Sequence, residues 1–457
     1  MNRLLPVLVF LAGCSTVAPY QPPAVELPEK WAESAPRPAE SGPWWGIYGD
    51  PALDALVEES FKTNADLVVA AARVDEARAV LGEANSFFWP TVDAQAGASR
   101  SRLSQSTATS FPGFPNKFND YRATLNVSYE IDVFGRLRAG ADAARAELQA
   151  SEASREAVRI ALAAQVAKSY YAMQALDQEV ALTRETVRLR EEALELQNKR
   201  YRGGVLSEFE LRQLEAETAS VRAQLPPLEQ ARETEEAALS VLLGRTPREV
   251  MESTVKVAQG DLKLSAPVLP EGMPSELLLR RPDLVVAERQ LAASHAQIAV
   301  ARAEMFPSIA LTGYLGRESA QLDNLFLGPA GIANIALGLT QPIFAGGRLQ
   351  ARTQQAEARE RQALAQYQQA IRNAFGEVRS ALAVQARSRE SFDAQSVREQ
   401  ALAETARLAR LRYDNGVASQ LDVIDAERNL LAARVARIDA LRQHRAAIAD
   451  LFRALGG

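Results

Sequence analysis

The chain has 457 residues, with 47% hydrophobic side chains, 24% charged side chains and a formal net charge of −5. That is enough apolar material for a large core, and the mildly acidic balance offers no footprint for nucleic acid. One cysteine and two histidines, His295 and His444, exclude a disulfide framework and a clustered zinc site, so stability must come from packing and assembly.

Residues 1–13 read as a secretory signal: a basic start at Arg3, an apolar run over 4–12 too short to span a bilayer, and small residues before Cys14. Leu11-Ala12-Gly13-Cys14 looks like a bacterial lipobox, which implies cleavage before Cys14 and acylation of its thiol. Ser15 follows rather than an aspartate, so the resemblance implies an outer-membrane destination. An acyl chain alone holds a protein weakly. Segment 14–50, rich in proline over 19–43, is expected to be irregular. Beyond the signal no run of about 18 apolar residues occurs, so any crossing of a membrane falls to strands.

The remainder is a duplication. Tyr201-Arg202-Gly203-Gly204-Val205-Leu206-Ser207 matches Tyr413-Asp414-Asn415-Gly416-Val417-Ala418-Ser419 at an offset of 212 residues, and the same offset superposes Arg136-Leu137 on Arg348-Leu349 and Glu215 on Glu427. This period is too long for a solenoid and indicates two half-molecules, 51–245 and 282–457, joined by a proline-rich connecting segment over 246–281.

Each half opens with a helix. Asp50 caps and Pro51 starts the first, expected to run to about 88, and Arg281-Pro282-Asp283 introduces its counterpart, ending near 306. Extended stretches follow, about 90–103 and 119–132, then about 307–317 and 332–342. In them apolar residues alternate with polar ones: Val92, Ala94 and Ala96 against Asp93 and Gln95, Leu125, Val127 and Tyr129 against Asn126 and Ser128, and Ile335, Leu337 and Leu339 beside Asn334 and Thr340. One apolar and one wet face is the pattern of a membrane barrel wall. Four strands cannot close a barrel, and open edges are not tolerated in lipid, so the chain must share its barrel with copies of itself; two copies give about eight strands and three about twelve.

After each strand pair come roughly 65 residues, from about 136 to 200 and from 348 to 412, rich in Ala, Leu, Glu, Gln and Arg and free of proline, which predicts helices of about 97 Å. The turns at 201–205 and 413–417 contain Gly203-Gly204 and Asn415-Gly416, which accept positive φ and send the chain back as a second helix. In the first half the returning helix contains Pro226-Pro227, which is expected to kink or break it.

These features resemble the outer-membrane factors, the TolC-like export channels, and within them the lipoprotein branch of OprM and NodT-type proteins. The resemblance rests on Trp44-Trp45 with Asp50-Pro51, on Arg281-Pro282-Asp283 continuing to Phe306-Pro307-Ser308, on Pro342-Ile343-Phe344-Ala345-Gly346-Gly347-Arg348, and on the two turns. It implies a mainly α protein with a membrane β-barrel: a homotrimer with a twelve-stranded barrel in outer-membrane lipid and a periplasmic α-helical barrel. It further implies docking of the turns, at Gly203, Gly204, Val205, Ser207, Asn415, Gly416, Val417 and Ser419, to a periplasmic adaptor and an inner-membrane pump. In such channels acids after the second turn ring the entrance, a role that falls here to Asp422 and Asp425, with Tyr413 helping to hold it shut and Glu210 as the first hairpin's counterpart. Ala418 stands where the family has an arginine tying the turns together, and Arg412 is the candidate substitute.

No catalytic residue, cofactor or metal site is expected. Gly346-Gly347 lacks the Lys-Ser or Lys-Thr of a phosphate loop and reads as a turn, and no nucleophile sits beside a plausible base. The expected function is the exit duct of a tripartite efflux system for small molecules. The alternatives are a duct for type I protein secretion or, less compatible with the strands, a periplasmic adaptor or coiled-coil scaffold.

Overall fold

Each half of the chain repeats one order, helix, two strands, two long helices, in the computed structural model, which describes residues 18–24, 43–104, 116–252, 255 and 281–457. The signal with Cys14 and most of the connecting segment lie outside the described residues. The first half comprises α1 (Pro51–Thr63), α2 (Ala65–Ser86), β1 (Thr91–Arg102), β2 (Lys117–Ile131), α3 (Arg136–Arg202) and α4 (Glu208–Leu242). A one-turn helix, α5 (Pro247–Met251), leads out of it; α6 (Pro282–Ala303), β3 (Ser308–Ser319), β4 (Gly331–Thr340), α7 (Arg348–Asp414) and α8 (Gln420–Leu455) form the second half. Both α3 and α7 have 67 residues, about 100 Å of helix.

The chain divides into two compact units, the first containing 73–152 and 286–368 with the N-terminal stretch at 18–24. Its centre is an antiparallel sheet in the order β1-β2-β3-β4. Register pairs Val92 with Val127, Leu125 with Leu315 and Leu311 with Leu337, so the alternation read from sequence builds one continuous apolar face. That face is bare: Leu315 is 65% exposed and Ile335 78%. The passage from β2 into α3 is locked by side chains, since Asp132 accepts from the backbone N–H groups of Leu137 (3.1 Å) and Arg138 (2.9 Å) and Arg136 makes a two-point pair with Glu130. Gly135 in this passage has φ 78°, and the matching passage from β4 into α7 has its equivalent Gly347 together with Gly346, both at positive φ, which bears out the turn reading of that pair.

The second unit contains 153–285 and 369–457 with the stretch up to Ala72. Its core gathers Trp44, Leu53, Val57, Tyr170, Met173, Leu239, Ile448 and Phe452, with Trp44 stacked on Phe452 at 5.4 Å. Asp50 makes two kinds of contact here: Oδ1 accepts from the N–H of Ala52 (3.0 Å) to cap α1, and Oδ2 accepts from the buried hydroxyl of Tyr170 (2.7 Å). Arg445, buried and lying over the ring of Tyr171, has its pKa lowered by desolvation.

Two expectations need correction. The opening helix is not one piece, because Asn64 ends α1 and starts α2: its Oδ1 accepts from the N–H groups of Asp66 (2.9 Å) and Leu67 (3.2 Å), while its Nδ2 donates to the carbonyl of Leu242 (2.8 Å). The prolines do not break α4 either. Pro226 and Pro227 stand exposed inside a continuous helix, where the carbonyls they leave unpaired reach water. Ion pairs on both sides strap α4 to α3: Arg222 with Glu191, Arg184 with Glu229 at 2.6 Å and Arg232 with Asp177 at 2.6 Å.

Asn64→Ala removes a helix cap and leaves the Leu242 carbonyl without its donor, an expected loss of about 2 kcal/mol. Thermal unfolding followed by circular dichroism should show the lower midpoint, with Asn64→Asp, which keeps the cap and loses the donor, falling between the two.

Candidate functional site: the tips of the two hairpins

The two turns are copies in geometry as well as in sequence. The N–H of Val205 donates to the carbonyl of Arg200 (3.0 Å) and that of Gly204 to Tyr201 (2.9 Å); in the second hairpin Val417 donates to Arg412 and Gly416 to Tyr413, both at 2.9 Å. This paired closure needs a left-handed residue, and Gly204 (φ 75°) and Gly416 (φ 72°) supply it, while Gly203 is not left-handed. The residue after such a glycine commonly packs back on its helix, yet Val205 is 77% exposed and Val417 64%.

The returning helices begin with identical chemistry. Ser207 caps α4 and takes Glu210 as its partner in a reciprocal box; Ser419 caps α8 and takes Asp422. The Asp422 carboxylate accepts from both the N–H (2.8 Å) and the hydroxyl (2.9 Å) of Ser419, and these bonds hold its pKa below the usual carboxylate value. Glu210 accepts from Ser207 in the same way, at 3.1 and 2.9 Å. Asp425 lies one turn further on, paired with Arg428 at 3.0 Å. All three are acidic side chains on the surface of the tips, and two of them also anchor a helix start.

Tyr413 is where the hairpins meet. Its hydroxyl accepts from Nη1 of Arg200 (3.0 Å) and Nε2 of Gln197 (3.2 Å), both on α3, and Gln197 also reaches Oε1 of Gln420 at 3.4 Å. A second tie lies deeper, where the buried Arg190 of α3 pairs with Glu427 of α8 at 3.1 Å, with Arg410 3.9 Å from the same carboxylate. Sequence reading singled out Tyr413 and passed over Arg200, Gln197 and Arg190. At the turns Arg200 reaches across to Tyr413, as Arg190 does further along to Glu427. The repeat held the signal, because Arg200 is the 212-residue equivalent of Arg412.

The tips present carboxylates, exposed valines and a tyrosine held by an arginine. Among the described residues no three His, Cys, Asp or Glu side chains are placed to hold a metal ion.

A family model described as outer membrane efflux protein matches residues 56–245 and 273–457. The chain is 34% identical over 457 residues to the toluene efflux pump outer membrane protein TtgC of Pseudomonas putida, covering 98% of this chain and 93% of that one. It is 32% identical over 458 residues to the probable outer membrane lipoprotein SilC of Salmonella typhimurium, covering 98% and 97%. Among solved structures it is similar to the Campylobacter jejuni CmeC outer membrane channel, with a TM-score of 0.89 and 28% identity over 97% of this chain and 95% of that one.

The lowered pKa of Asp422 has a sign. Its bonds to Ser419 act fully above the ordinary carboxylate value of about 3.9 and fade as pH falls through the lower folded value. Hydrogen exchange, corrected for intrinsic rates, is expected to show the first turn of α8 protected at neutral pH and opening only in strong acid. Asp422→Ala should exchange that turn rapidly at neutral pH as well.

Proposed function

The chain belongs to the outer membrane efflux protein family, and from this membership we propose that three copies assemble as the passive exit duct of a tripartite efflux system. It is an outer-membrane channel component and not an enzyme. The observation that carries the trimer is the sheet: its bare apolar face suits lipid and not water, and β1 and β4 each have one unpaired edge, which a bilayer does not tolerate unless copies join edge to edge. Three copies give about twelve strands, a lumen wide enough for transport. An adaptor or scaffold reading leaves this sheet without a purpose.

In this reading Cys14 carries the lipid that tethers the chain to the outer membrane, as expected of a relative of an outer membrane lipoprotein. The tips, with Val205 and Val417 exposed beside Gly203, Gly204, Ser207, Asn415, Gly416 and Ser419, are the docking points for a periplasmic adaptor coupled to an inner-membrane pump. The cargo is a small organic molecule, the class named for the toluene efflux relative. Tyr413, held by Arg200 and Gln197, keeps the hairpins together at rest. Asp422 and Asp425, with Glu210 adding a smaller share, make the entrance acidic: six aspartates near one axis repel by roughly 3 kcal/mol per pair at about 6 Å and an effective dielectric near 20, a repulsion that bound cations relieve.

Planar-bilayer recording tests both parts. Asp422→Asn with Asp425→Asn is expected to lower cation selectivity several-fold and abolish block by a trivalent cation, and unchanged selectivity and block would remove the acidic ring. Arg200→Gln or Tyr413→Phe should raise resting conductance several-fold, in a protein that still migrates as a heat-modifiable trimer. A purified chain that stays monomeric in detergent and never conducts would sink the duct itself.

A further inference from the structure

The apolar face of the sheet sorts its side chains by charge as well as by polarity. The register that puts Leu125, Leu315 and Leu337 on this face also brings Arg100, Arg102 and Lys117 onto it towards the β1–β2 loop, and Arg317 towards the β3–β4 loop. Over the paired residues of all four strands no aspartate or glutamate shares that face. The acids, Asp93, Asp120, Glu130 and Glu318, all fall on the opposite one, where Glu318 lies 3.8 Å from Arg122. Arg100, Arg102 and Lys117 are exposed, and among the described residues none of them pairs with a carboxylate. In a chain of nearly balanced charge, four cations and no anion on one face is a strong segregation.

Its position is equally uneven. All four strands join helices at one end, and there Arg136 pairs with Glu130 and Arg138 with Asp132, near the exposed aromatic residues Trp89 and Phe344. Arg100, Arg102 and Lys117 lie at the other end, beyond the apolar band, and Arg317, opposite Ala123, lies just inside its margin. From Tyr121 to Ile131 that band spans about 34 Å of strand, or about 26 Å of bilayer at a tilt near 40°, which matches the apolar height of an outer-membrane barrel. A groove of about 760 Å³ opens on this face, lined by Leu125, Leu315, Ala333, Phe326 and Arg317, the last donating to the carbonyl of Leu327 at 2.8 Å. Apolar walls with a cation among them suit an acyl chain under an anionic headgroup.

We propose that Arg100, Arg102, Lys117 and Arg317 form a binding belt for the phosphorylated glycolipid headgroups of the outer leaflet. This rests on the duct reading, in which the loop end of the sheet faces the exterior. Each basic residue close to a charged lipid surface contributes about a fivefold factor, so removing three should weaken the lipid about a hundredfold.

Native mass spectrometry of the detergent-purified full channel tests this with bisphosphorylated lipid A, its dephosphorylated form and inorganic phosphate as probes. The wild-type channel should hold the bisphosphorylated lipid, hold the dephosphorylated lipid far more weakly, and not lose its lipid to inorganic phosphate at equal concentration. Arg100→Gln with Arg102→Gln and Lys117→Gln should lose about a hundredfold in affinity. Should that variant fail to assemble, Arg317→Gln alone is expected to weaken binding about fivefold, and Arg100→Lys with Arg102→Lys to bind as wild type. Equal affinity for the two lipids, unchanged binding in the glutamine variants, or displacement by free phosphate would overturn the belt. A trimer that conducts normally yet fails these tests leaves the duct reading intact.

Discussion

Hydrogen-bond closure in lipid is the constraint on which the rest of this structure depends. Every backbone N–H and C=O within the hydrocarbon must find a partner, each failure costing several kcal/mol, and a sheet of four strands leaves two rows unmet along β1 and β4. The bare apolar face adds to the demand, since Leu315, Ile335 and Leu337 gain nothing from water and find no cover within their own chain. Assembly in a bilayer answers both at once. The single-chain fold is half of a solution, and its duplicated order supplies two strands at a time to a closed wall.

The same duplication sets what the helices do. An isolated helix of 67 residues has little reason to stay straight, but each is doubled back on a partner and strapped by ion pairs such as Arg184 with Glu229. Most of these pairs are exposed and individually weak, and their value lies in fixing the register of one helix on the next. At the tips, where packing thins, the chain relies on backbone geometry: a left-handed glycine, a serine cap and an acid three residues on. Asp422 therefore has a structural duty whatever charge it adds to an entrance.

Much of this was legible in the sequence because its rules are local. The period of two in the strands, proline after Trp89 and Phe306, and the turn glycines all act within a few residues, and the strand limits moved by only a residue or two. What escaped were features decided by distant partners. Asn64 splits a helix whose apolar pattern is continuous because it bonds a carbonyl 178 residues away. Pro226 and Pro227 obey the local rule against helical proline only until straps on both sides and solvent on the outer face absorb the lost bonds. Arg200 lies outside the turn motif and announced itself only through its repeat equivalent.

The repeat also shows how unlike the two hairpins are where they meet. Arg190 and Gln197 of α3 correspond, at the 212-residue offset, to Leu402 and Ala409 of α7, neither of which can donate to the other hairpin. Glu427 reaches across to Arg190, whereas its equivalent Glu215 turns to Arg212 on its own helix at 2.9 Å. Backbone symmetry thus survives while the side chains that join the hairpins have diverged: near the tip Arg190, Gln197 and Arg200 reach out from the first hairpin, and in the other direction Arg428 of α8 faces Glu217 of α4 at 3.7 Å. Any parting of the hairpins at this level must break the bonds to Tyr413 and Glu427 together. Two like halves are in this way joined near the tips by a few unlike polar contacts.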